Sequence, residues 1–369
     1  MSWIAVSKPI QSLNALKHLP QGTDWGGFAA LFLFLNLRKL TDSPKHKRKN
    51  VRAVFLDYQS MKPDELDFEK LAGATSEFVT HDVTPPDLVT ERIQGFEVVI
   101  LNKVKFERAH FEAAPDLKLI LVSATGTDNV DKQAASDHGV VVCNVTAYGT
   151  PSVSQHTLML MLMVATQAER YRNDVKAGRW SESPMFCLMD YPIIDLAGRT
   201  LGLIGYGELG QAVGRLAEAF GMRVLVMGRD GVDYDDGSER VSFDTLLEQS
   251  DFISLHGLLN AQTQKMMNRE AFQKMKPGSF LINTARGGLV DEDALCDALE
   301  SGHLAGAGLD VVTTEPPAKD SRLLNCKHPN LVITPHSAWA SRESRQRIVN
   351  IMQANLEAFI EGAPINRVA

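Results

Sequence analysis

Three residues late in the chain, Arg286, Glu315 and His336, have side chains that could act together on a 2-keto acid. An arginine can bind a carboxylate through two parallel hydrogen bonds and polarise the neighbouring carbonyl group. A histidine can donate or accept the hydroxyl proton near neutral pH, and a paired glutamate would orient its ring. Singly, they could be a surface ion pair, a turn residue before proline and a helix cap. Near the ends of three predicted strands, they together indicate keto acid reduction.

A glycine-rich turn, Gly205-Tyr-Gly207-Glu-Leu-Gly210, follows the apolar run Leu201–Ile204 and opens a helical pattern. In this strand–turn–helix setting, the GxGxxG spacing predicts a dinucleotide-binding site, and a turn without a ligand is the alternative. Gly205 permits the tight turn, Gly207 lets the backbone approach a pyrophosphate, and Gly210 lets the helix pack on the strand. The N–H groups and the positive dipole end of the helix would bind the phosphates.

The residue that ends the following strand bears on the choice of cofactor. NAD-specific sites carry an acid there that bonds the adenosine ribose, whereas this chain has Gly228, followed by Arg229 and Asp230. An arginine can pair with a 2′-phosphate, and the missing carboxylate removes a repulsion. The sequence therefore favours NADP(H), or use of both NAD(H) and NADP(H). Asp230 could still reach the ribose if the loop folds back.

Short apolar runs alternating with helical segments would position these residues. The first series comprises Arg52–Asp57, Val98–Leu101, Leu119–Val122 and Val140–Cys143. The second comprises Thr200–Ile204, Arg223–Met227, Phe252–Leu255, Ser279–Ile282, Ala307–Val311 and Leu331–Ile333. Runs that are apolar on both faces are typical of parallel strands covered by helices. We therefore predict an α/β chain in which the second series forms a Rossmann-type, doubly wound parallel sheet.

Two longer helices are predicted at Ser152–Ala177 and Arg342–Glu361. Within the first, Leu158–Val164 is apolar all round, which implies burial on every side. Either the protein core or a subunit interface would provide that burial.

Composition excludes several classes of protein. The 369 residues are 44% hydrophobic and 22% charged, which rules out a wholly disordered, collagen-like or coiled-coil chain; the length suggests two domains, with three as the alternative. No apolar run approaches the roughly 20 residues of a membrane-spanning helix. Four cysteines without CxxC spacing argue against a disulfide framework or a metal site and favour the cytoplasm. The chain beyond residue 50 is acidic, which argues against a nucleic-acid partner.

Residues 1–50 differ from the rest, because they carry eight Lys or Arg residues and two Asp residues. The apolar run Phe28–Leu37 precedes the basic cluster Lys45–Lys49, which reverses the order found in signal peptides. We interpret residues 1–50 as an unstructured or loosely helical extension, with a transit peptide as the alternative. Since the regular pattern begins abruptly at Val51, we expect the natural protein to begin near that residue. Mass spectrometry of the native N-terminus tests this expectation.

From Val51 onward the chain resembles the D-isomer-specific 2-hydroxyacid dehydrogenase family. The matching stretches are Ser123–Asp131, Ser152–Thr157, Gly205–Gly210, Met275–Asp291, Leu309–Val311, Glu315-Pro316 and Pro335-His336. The resemblance is strongest to the branch that interconverts hydroxypyruvate and D-glycerate with NAD(H) or NADP(H). Two departures are Gly228 and His256-Gly-Leu-Leu259, where the family often has His-Cys-Pro-Leu. The second departure puts the shape of a cofactor-lining loop in doubt.

The resemblance implies roles at the substrate. Arg286 would hold the carboxylate and carbonyl groups, and the backbone N–H groups of Thr125 and Gly126 would bind the carboxylate. His336 would be the general acid and base, and Glu315 would pair with it.

The resemblance also implies roles at the cofactor. Glu208 and Leu209 would lie against the pyrophosphate together with the three glycines of the turn. Thr284 and Ala285 would lie along the cofactor, and Asp310 would contact its nicotinamide end.

The domain organisation that the resemblance implies is discontinuous. Residues 51–147 and 340–369 would form a flavodoxin-like substrate-binding domain, and residues 148–339 the cofactor domain. The active site would lie in the cleft between them, where closure excludes water. The family also implies a homodimer through the helix predicted at Ser152–Ala177.

Two alternatives to hydroxypyruvate reduction stay open. The substrate could be glyoxylate or another short 2-keto acid, formate, phosphite or 3-phosphoglycerate, and Asn102, Lys103 and Trp339 would line the discriminating pocket. The chain could also be a non-catalytic NAD(H)-sensing protein similar to transcriptional corepressors. Turnover of 2-keto acids with NADH and NADPH separates these alternatives.

Overall fold

The computed structural model describes residues 51–229 and 231–369. The predictions for residues 1–50 and for Asp230 lie outside the described residues. The described chain contains a five-stranded and a seven-stranded sheet, both parallel. The α/β class is thereby confirmed.

The first sheet has the strand order β2-β1-β3-β4-β5. Its strands are β1 (Arg52–Phe55), β2 (Glu77–Thr80), β3 (Val98–Leu101), β4 (Leu119–Val122) and β5 (Val141–Cys143). This is the flavodoxin-like order that was expected for the substrate-binding part. The strands β3 and β4 are buried along their whole length, because helices cover both faces of the sheet.

The second sheet has the strand order β12-β11-β10-β9-β6-β7-β8. Its strands are β6 (Thr200–Ile204), β7 (Arg223–Met227), β8 (Arg240–Val241), β9 (Phe252–Leu255), β10 (Ser279–Asn283), β11 (Leu304–Leu309) and β12 (Leu331–Ile333). The order reverses between β6 and β9, which is the topological switch point of a Rossmann-type sheet. Ligands bind such sheets at the carboxyl ends of the strands near that point.

Helices connect the strands and begin, in several cases, at a polar capping residue. They are α1 (Glu69–Gly73), α2 (Val89–Arg92), α3 (Arg108–Ala113), α4 (Lys132–Asp137), α5 (Thr150–Thr166), α6 (Ala168–Lys176), α7 (Glu208–Ala219), α8 (Phe243–Gln249), α9 (Arg269–Lys274), α10 (Glu292–Glu300) and α11 (Arg342–Ile360). Side chains that accept a backbone N–H from the first turn are those of Asp131, Ser242, Asn268, Asp291 and Ser341. Among the described residues, no helix is long and apolar enough to span a membrane.

The single helix predicted at Ser152–Ala177 is wrong, because two helices occupy this stretch. Gln167 has φ +54°, a left-handed conformation that ends α5 and begins α6. Within the described chain, the core buries only one side of Leu158–Val164, and the subunit interface that would bury the other side stays a prediction. Leu160 and Val164 pack into the core, whereas Met159 is exposed.

Two strands escaped prediction because each lies at the edge of a sheet. β2 is half-exposed and therefore lacks an apolar run, and β8 has only two residues. The strand predicted at Ala307–Val311 begins three residues earlier, at Leu304.

The C-terminal helix α11 returns to the first sheet. Its buried face, which includes Ile348, Met352 and Leu356, packs in one apolar cluster with Phe55 and Leu121. These contacts agree with a discontinuous substrate-binding domain, whose boundaries at 147/148 and 339/340 stay a prediction.

Candidate active site

The segment that follows β10 is held in a fixed shape by the buried side chain of Asn283. Its Nδ2 donates to the carbonyl oxygen of Arg286 at 2.9 Å, and its Oδ1 accepts from the N–H of Ala285 at 3.0 Å. Thr284 is buried as well, and its hydroxyl lies 2.9 Å from that of Thr157 on α5. Arg286 is thereby presented, with an exposed side chain, at the carboxyl edge of the second sheet.

Gly287 lets this segment pack directly against the one that carries Glu315. A Cβ atom at Gly287 would lie 1.9 Å from the carbonyl carbon of Val312, which is a severe steric clash, so no side chain fits there. The N–H of Val312 donates to Oε1 of Glu315 at 3.1 Å. Glycine at 287 therefore permits the approach that brings Arg286 and Glu315 to one site.

His336 and Glu315 form a hydrogen-bonded pair, with Nδ1 of the ring 2.6 Å from Oε2 of the carboxylate. Partial burial raises the pKa of Glu315, but hydrogen bonds from His336 and from the N–H of Val312 outweigh burial and hold it below the ordinary value. Ionised Glu315 therefore accepts a hydrogen bond from Nδ1–H, which fixes the ring orientation. Within residues 51–229 and 231–369 no protein group bonds Nε2, which is left to face a ligand.

Asp310 is buried beside His336, and its carboxylate organises the loop that follows β12. Oδ1 accepts from the hydroxyl of Thr334 at 2.5 Å and from the N–H of Ser337 at 2.9 Å. Oδ2 accepts from the N–H of Ala338 at 2.9 Å. The side chain is only 1% exposed, so the structure shows it holding the His336 loop. Its contact with the nicotinamide end of the cofactor stays a prediction.

Arg286 reaches from the second sheet to the first. Its Nη2 lies against Gly126, where an added Cβ atom would be only 2.9 Å away. The phenol of Tyr148 lies beside Thr125 and Arg286; burial raises its pKa, and the arginine charge opposes that shift. The structure thus brings the three predicted substrate residues together. It adds Tyr148, which the sequence marked only as the start of a chain break.

A second missed residue is Asp57, which follows β1 and holds Asn102 and Lys103, the predicted pocket residues that follow the neighbouring strand β3. The Asp57 carboxylate accepts from the N–H groups of Asn102 at 2.8 Å and Lys103 at 2.6 Å, although burial raises its pKa. Desolvation, and then the Arg286 charge, lower the pKa of Lys103. Asp57 lies two residues after β1, and Asn102 and Lys103 directly follow β3. These positions were the signal in the sequence from which the contact could have been predicted.

The glycine turn has the shape required by a dinucleotide. Gly205 has φ +95°, and a Cβ atom there would lie 2.6 Å from the nitrogen of Gly257. At Gly210 a Cβ atom would lie 2.2 Å from the carbonyl oxygen of Gly205. At Gly207, by contrast, there is open space within 4 Å of the Cβ position. The fold thus requires the outer glycines, and the middle one leaves room for a phosphate.

The first turn of α7 faces this open space with its backbone N–H groups. Gly207 is the N-cap and makes no side-chain capping bond, and Glu208 and Leu209 follow it. The Glu208 carboxylate accepts from the hydroxyl of Thr150 at 2.5 Å, which ties the turn to α5. The helix start therefore has free donors for an anion, which fits the pyrophosphate of a nicotinamide dinucleotide.

His256 lines the same turn and is neutral at physiological pH. Burial lowers its pKa to about 4. Nε2 lies 2.9 Å from the hydroxyl of Ser254, while buried Nδ1 has no partner among the described residues. An orphaned ring nitrogen beside the glycine turn is a second feature that fits a polar cofactor.

The end of β7 has the composition expected of a site for a 2′-phosphate. Gly228 provides no acid, and Arg229 is exposed. A second arginine, Arg240 on β8, lies beside Gly228 and stacks on the ring of Tyr234 at 3.6 Å. The possible contact of Asp230 with the ribose lies outside the described residues.

Known proteins are similar to this chain in both sequence and fold. Residues 158–338 match the family described as "D-isomer specific 2-hydroxyacid dehydrogenase, NAD binding domain". The glycerate dehydrogenase of Methylorubrum extorquens is 43% identical over 321 residues, which is 86% of this chain and 98% of that protein. The hydroxypyruvate reductase of Blautia hydrogenotrophica is 40% identical over 323 residues, 86% and 99% of the two chains.

Solved structures agree with this assignment. A Thermus thermophilus protein superposes with a TM-score of 0.77 at 34% identity, covering 86% of this chain and all of its own. An acyclic imino acid reductase, solved with NADPH and D-Arg, superposes with a TM-score of 0.72 at 26% identity over 86% of this chain and 100% of its own. The chain therefore belongs to the D-isomer specific 2-hydroxyacid dehydrogenase family, whose nicotinamide cofactor is NAD(H) or NADP(H).

Proposed function

We propose that this protein reduces hydroxypyruvate to D-glycerate, and catalyses the reverse oxidation, with a nicotinamide cofactor. The observation that carries the proposal is the meeting of Arg286 with Gly126 beside the hydrogen-bonded pair of His336 and Glu315. The two relatives named for glycerate and hydroxypyruvate chemistry, at 43% and 40% identity, support this choice of substrate.

Arg286 is the proposed clamp for the substrate. Its planar guanidinium can bind the carboxylate and the neighbouring carbonyl oxygen of a 2-keto acid together. The N–H groups of Thr125 and Gly126 complete the carboxylate site from the first sheet. This arrangement orients the C2 carbonyl and places positive charge where negative charge develops during reduction.

His336 is the proposed proton donor. When bound, the reduced cofactor supplies the hydride that C2 accepts. Nδ1 of His336 is committed to Glu315, so Nε2 gives its proton to the carbonyl oxygen, and Glu315 stabilises the charged ring beforehand. In the reverse direction Nε2 takes the hydroxyl proton. Closure of the two parts around the substrate would exclude water.

The test is a panel of hydroxypyruvate, glyoxylate and larger 2-keto acids, each assayed with NADH and NADPH. We expect hydroxypyruvate to have the highest kcat/KM. A higher value for glyoxylate would replace the substrate assignment with the alternative named at the outset. Cofactor binding without turnover of any acid would instead support a non-catalytic NAD(H)-sensing protein.

Replacing Gly228 with Asp should shift cofactor preference from NADPH towards NADH. The new carboxylate would bond the adenosine ribose and repel a 2′-phosphate. A charged hydrogen bond contributes about 1.5–3 kcal/mol, so the ratio of kcat/KM values for the two cofactors should change about 10- to 100-fold. The fold tolerates a side chain, because an added Cβ atom lies 3.5 Å from its nearest neighbour. Gly228→Ala is the control, and an unchanged ratio in Gly228→Asp would refute the proposed site.

We also propose a homodimer, with a second copy of the chain covering the outer face of α5, α6 and the segment after them. Large apolar side chains are exposed there, including Phe186 at 86% and Met189 at 79%. Contiguous exposed apolar surface marks an interaction site. Light scattering should give twice the chain mass, and Phe186→Ser with Met189→Ser should lower it to one chain. Val83→Ser, an exposed apolar residue elsewhere, is the matched control; a monomeric wild type would contradict the proposal.

The cytoplasm is the proposed location. All four cysteines are free thiols, and Cys143 and Cys296 are buried. Free thiols are typical of proteins in a reducing compartment. Cell fractionation with an antibody to the chain tests this.

A further inference from the structure

Side chains in the first two turns of helix α5 contact three segments of the active site: the glycine turn, the Arg286 segment and the loop that carries His336. The hydroxyl of Ser152 donates to the carbonyl oxygen of Ala338 at 2.5 Å, in the loop that carries His336. The contacts of Thr150 with the glycine turn and of Thr157 with the Arg286 segment are described above. His156 is the remaining member, and its ring is directed at half-buried Thr334 and at the buried carboxylate of Asp310.

The direction of the hydrogen bond between His156 and Thr334 follows from the position of the Thr334 hydroxyl proton. Nε2 of His156 lies 2.9 Å from the Thr334 hydroxyl oxygen and 3.4 Å from Oδ1 of Asp310. The single hydroxyl proton of Thr334 is committed to that same Oδ1, at 2.5 Å. The hydroxyl oxygen must therefore accept, and Nε2 of His156 must carry the proton. Burial lowers the pKa of His156 and Asp310 opposes that shift only in part, so a neutral ring protonated at Nε2 satisfies the network.

Asp310 connects the His156 bond to the backbone around His336. The carboxylate binds the N–H groups of the two residues after His336, and the Asp310 carbonyl oxygen accepts the N–H of His336 itself at 2.8 Å. His336 has φ +51°, a left-handed conformation that a non-glycine residue keeps only where its surroundings impose it. The Asp310 network supplies that constraint, and His156 anchors the network to α5 in addition to the bond from Ser152 to Ala338.

We propose that His156 is a positioning residue that holds His336 in its catalytic orientation through Thr334 and Asp310. The proposal rests on the proposed function of His336 as proton donor. The His156 ring is held by Thr334 and Asp310, and it acts by keeping Asp310 and the loop after β12 in one arrangement. Without the ring, the Thr334 oxygen loses its donor, and the loop that must place Nε2 of His336 gains freedom.

Three variants separate positioning from ordinary core packing. His156→Leu removes the bond, and His156→Gln can restore it because its amide Nε2 is also a donor at the end of a side chain of similar length. His303→Leu is the matched control. His303 is half-buried and its Nε2 makes one hydrogen bond, to Met275, but it precedes β11 at the amino edge of the sheet, opposite the site.

We expect His156→Leu to lower kcat about 10-fold, with the KM of the keto acid and the Kd of the cofactor within about 2-fold of wild type. His156→Gln should recover most of kcat at an unchanged Tm, and His303→Leu should keep it. Wild-type kcat in His156→Leu, equal losses in His156→Leu and His303→Leu, or equal losses in His156→Leu and His156→Gln would overturn the proposal.

Crystal structures of wild type and His156→Leu provide a readout that needs no activity. The proposal predicts that in the variant His336 leaves the left-handed conformation or loses its bond to Glu315. Retention of both in the variant would overturn the proposal even if kcat falls. A wild type that turns over no 2-keto acid would refute the proposed function separately, and the pair of structures would still decide the role of His156.

Discussion

Replacing His336 with Ala should lower kcat for 2-keto acid reduction about 10²- to 10⁴-fold, which is the usual contribution of a general acid or base. Glu315 holds Nδ1 of the ring, so Nε2 is free to give a proton to the carbonyl oxygen. The Kd of the cofactor should change little, because the glycine turn and α7, which would bind the cofactor phosphates, are separate from the loop that carries His336. Steady-state kinetics and cofactor titration by fluorescence measure the two effects.

His328→Ala is the control for His336→Ala. His328 is half-buried in the loop before β12 and lies outside the catalytic set. It should retain wild-type kcat. Turnover in His336→Ala equal to that of wild type would refute the assignment of the proton donor.

Replacing Arg286 with Ala should raise the KM of the keto acid and lower kcat, because the same guanidinium binds the ground state and polarises the carbonyl. Loss of a charged hydrogen-bonded partner costs about 2–5 kcal/mol, so kcat/KM should fall about 30- to 5,000-fold. Arg286→Lys should recover little, since an ammonium group cannot make the planar bidentate contact. Initial rates over a range of keto acid concentration, at saturating cofactor, separate the two parameters.

Arg269→Ala provides the comparison, because Arg269 forms an exposed ion pair with Asp297 on α9 and α10. Its kinetic parameters should match those of wild type. If Arg286→Ala shows an unchanged KM and an unchanged kcat, Arg286 is not the clamp.

The strands of both sheets were predictable wherever they are buried on both faces. β3 and β4 are continuous apolar runs for that reason, and β9 and β10 are mostly apolar. The edge strands were not predictable, because half-exposed β2 and two-residue β8 have no such pattern. The break at Gln167 was also hidden, since glutamine is compatible with a helix interior and only its observed φ of +54° reveals the turn.

The catalytic residues were predictable from residue type and order, but the residues that position them were not. Asp310 was expected at the cofactor, and its four bonds to the loop of His336 depend on how β11 and β12 pair. In the sequence, Gly287 looks like an ordinary turn glycine. A glycine is required there because the backbone of Val312, 25 residues further along the chain, leaves no room for a side chain. Such contacts are set by tertiary structure rather than by local sequence pattern.

The most direct test of the account is the identity and chirality of the product formed from hydroxypyruvate and reduced cofactor. Purified full-length protein is incubated with NADPH or NADH, and the product is identified by chiral chromatography against both glycerate enantiomers. The account predicts D-glycerate, formed in equal amount to the oxidised cofactor. L-glycerate, or cofactor that binds and is not oxidised with hydroxypyruvate, would contradict it.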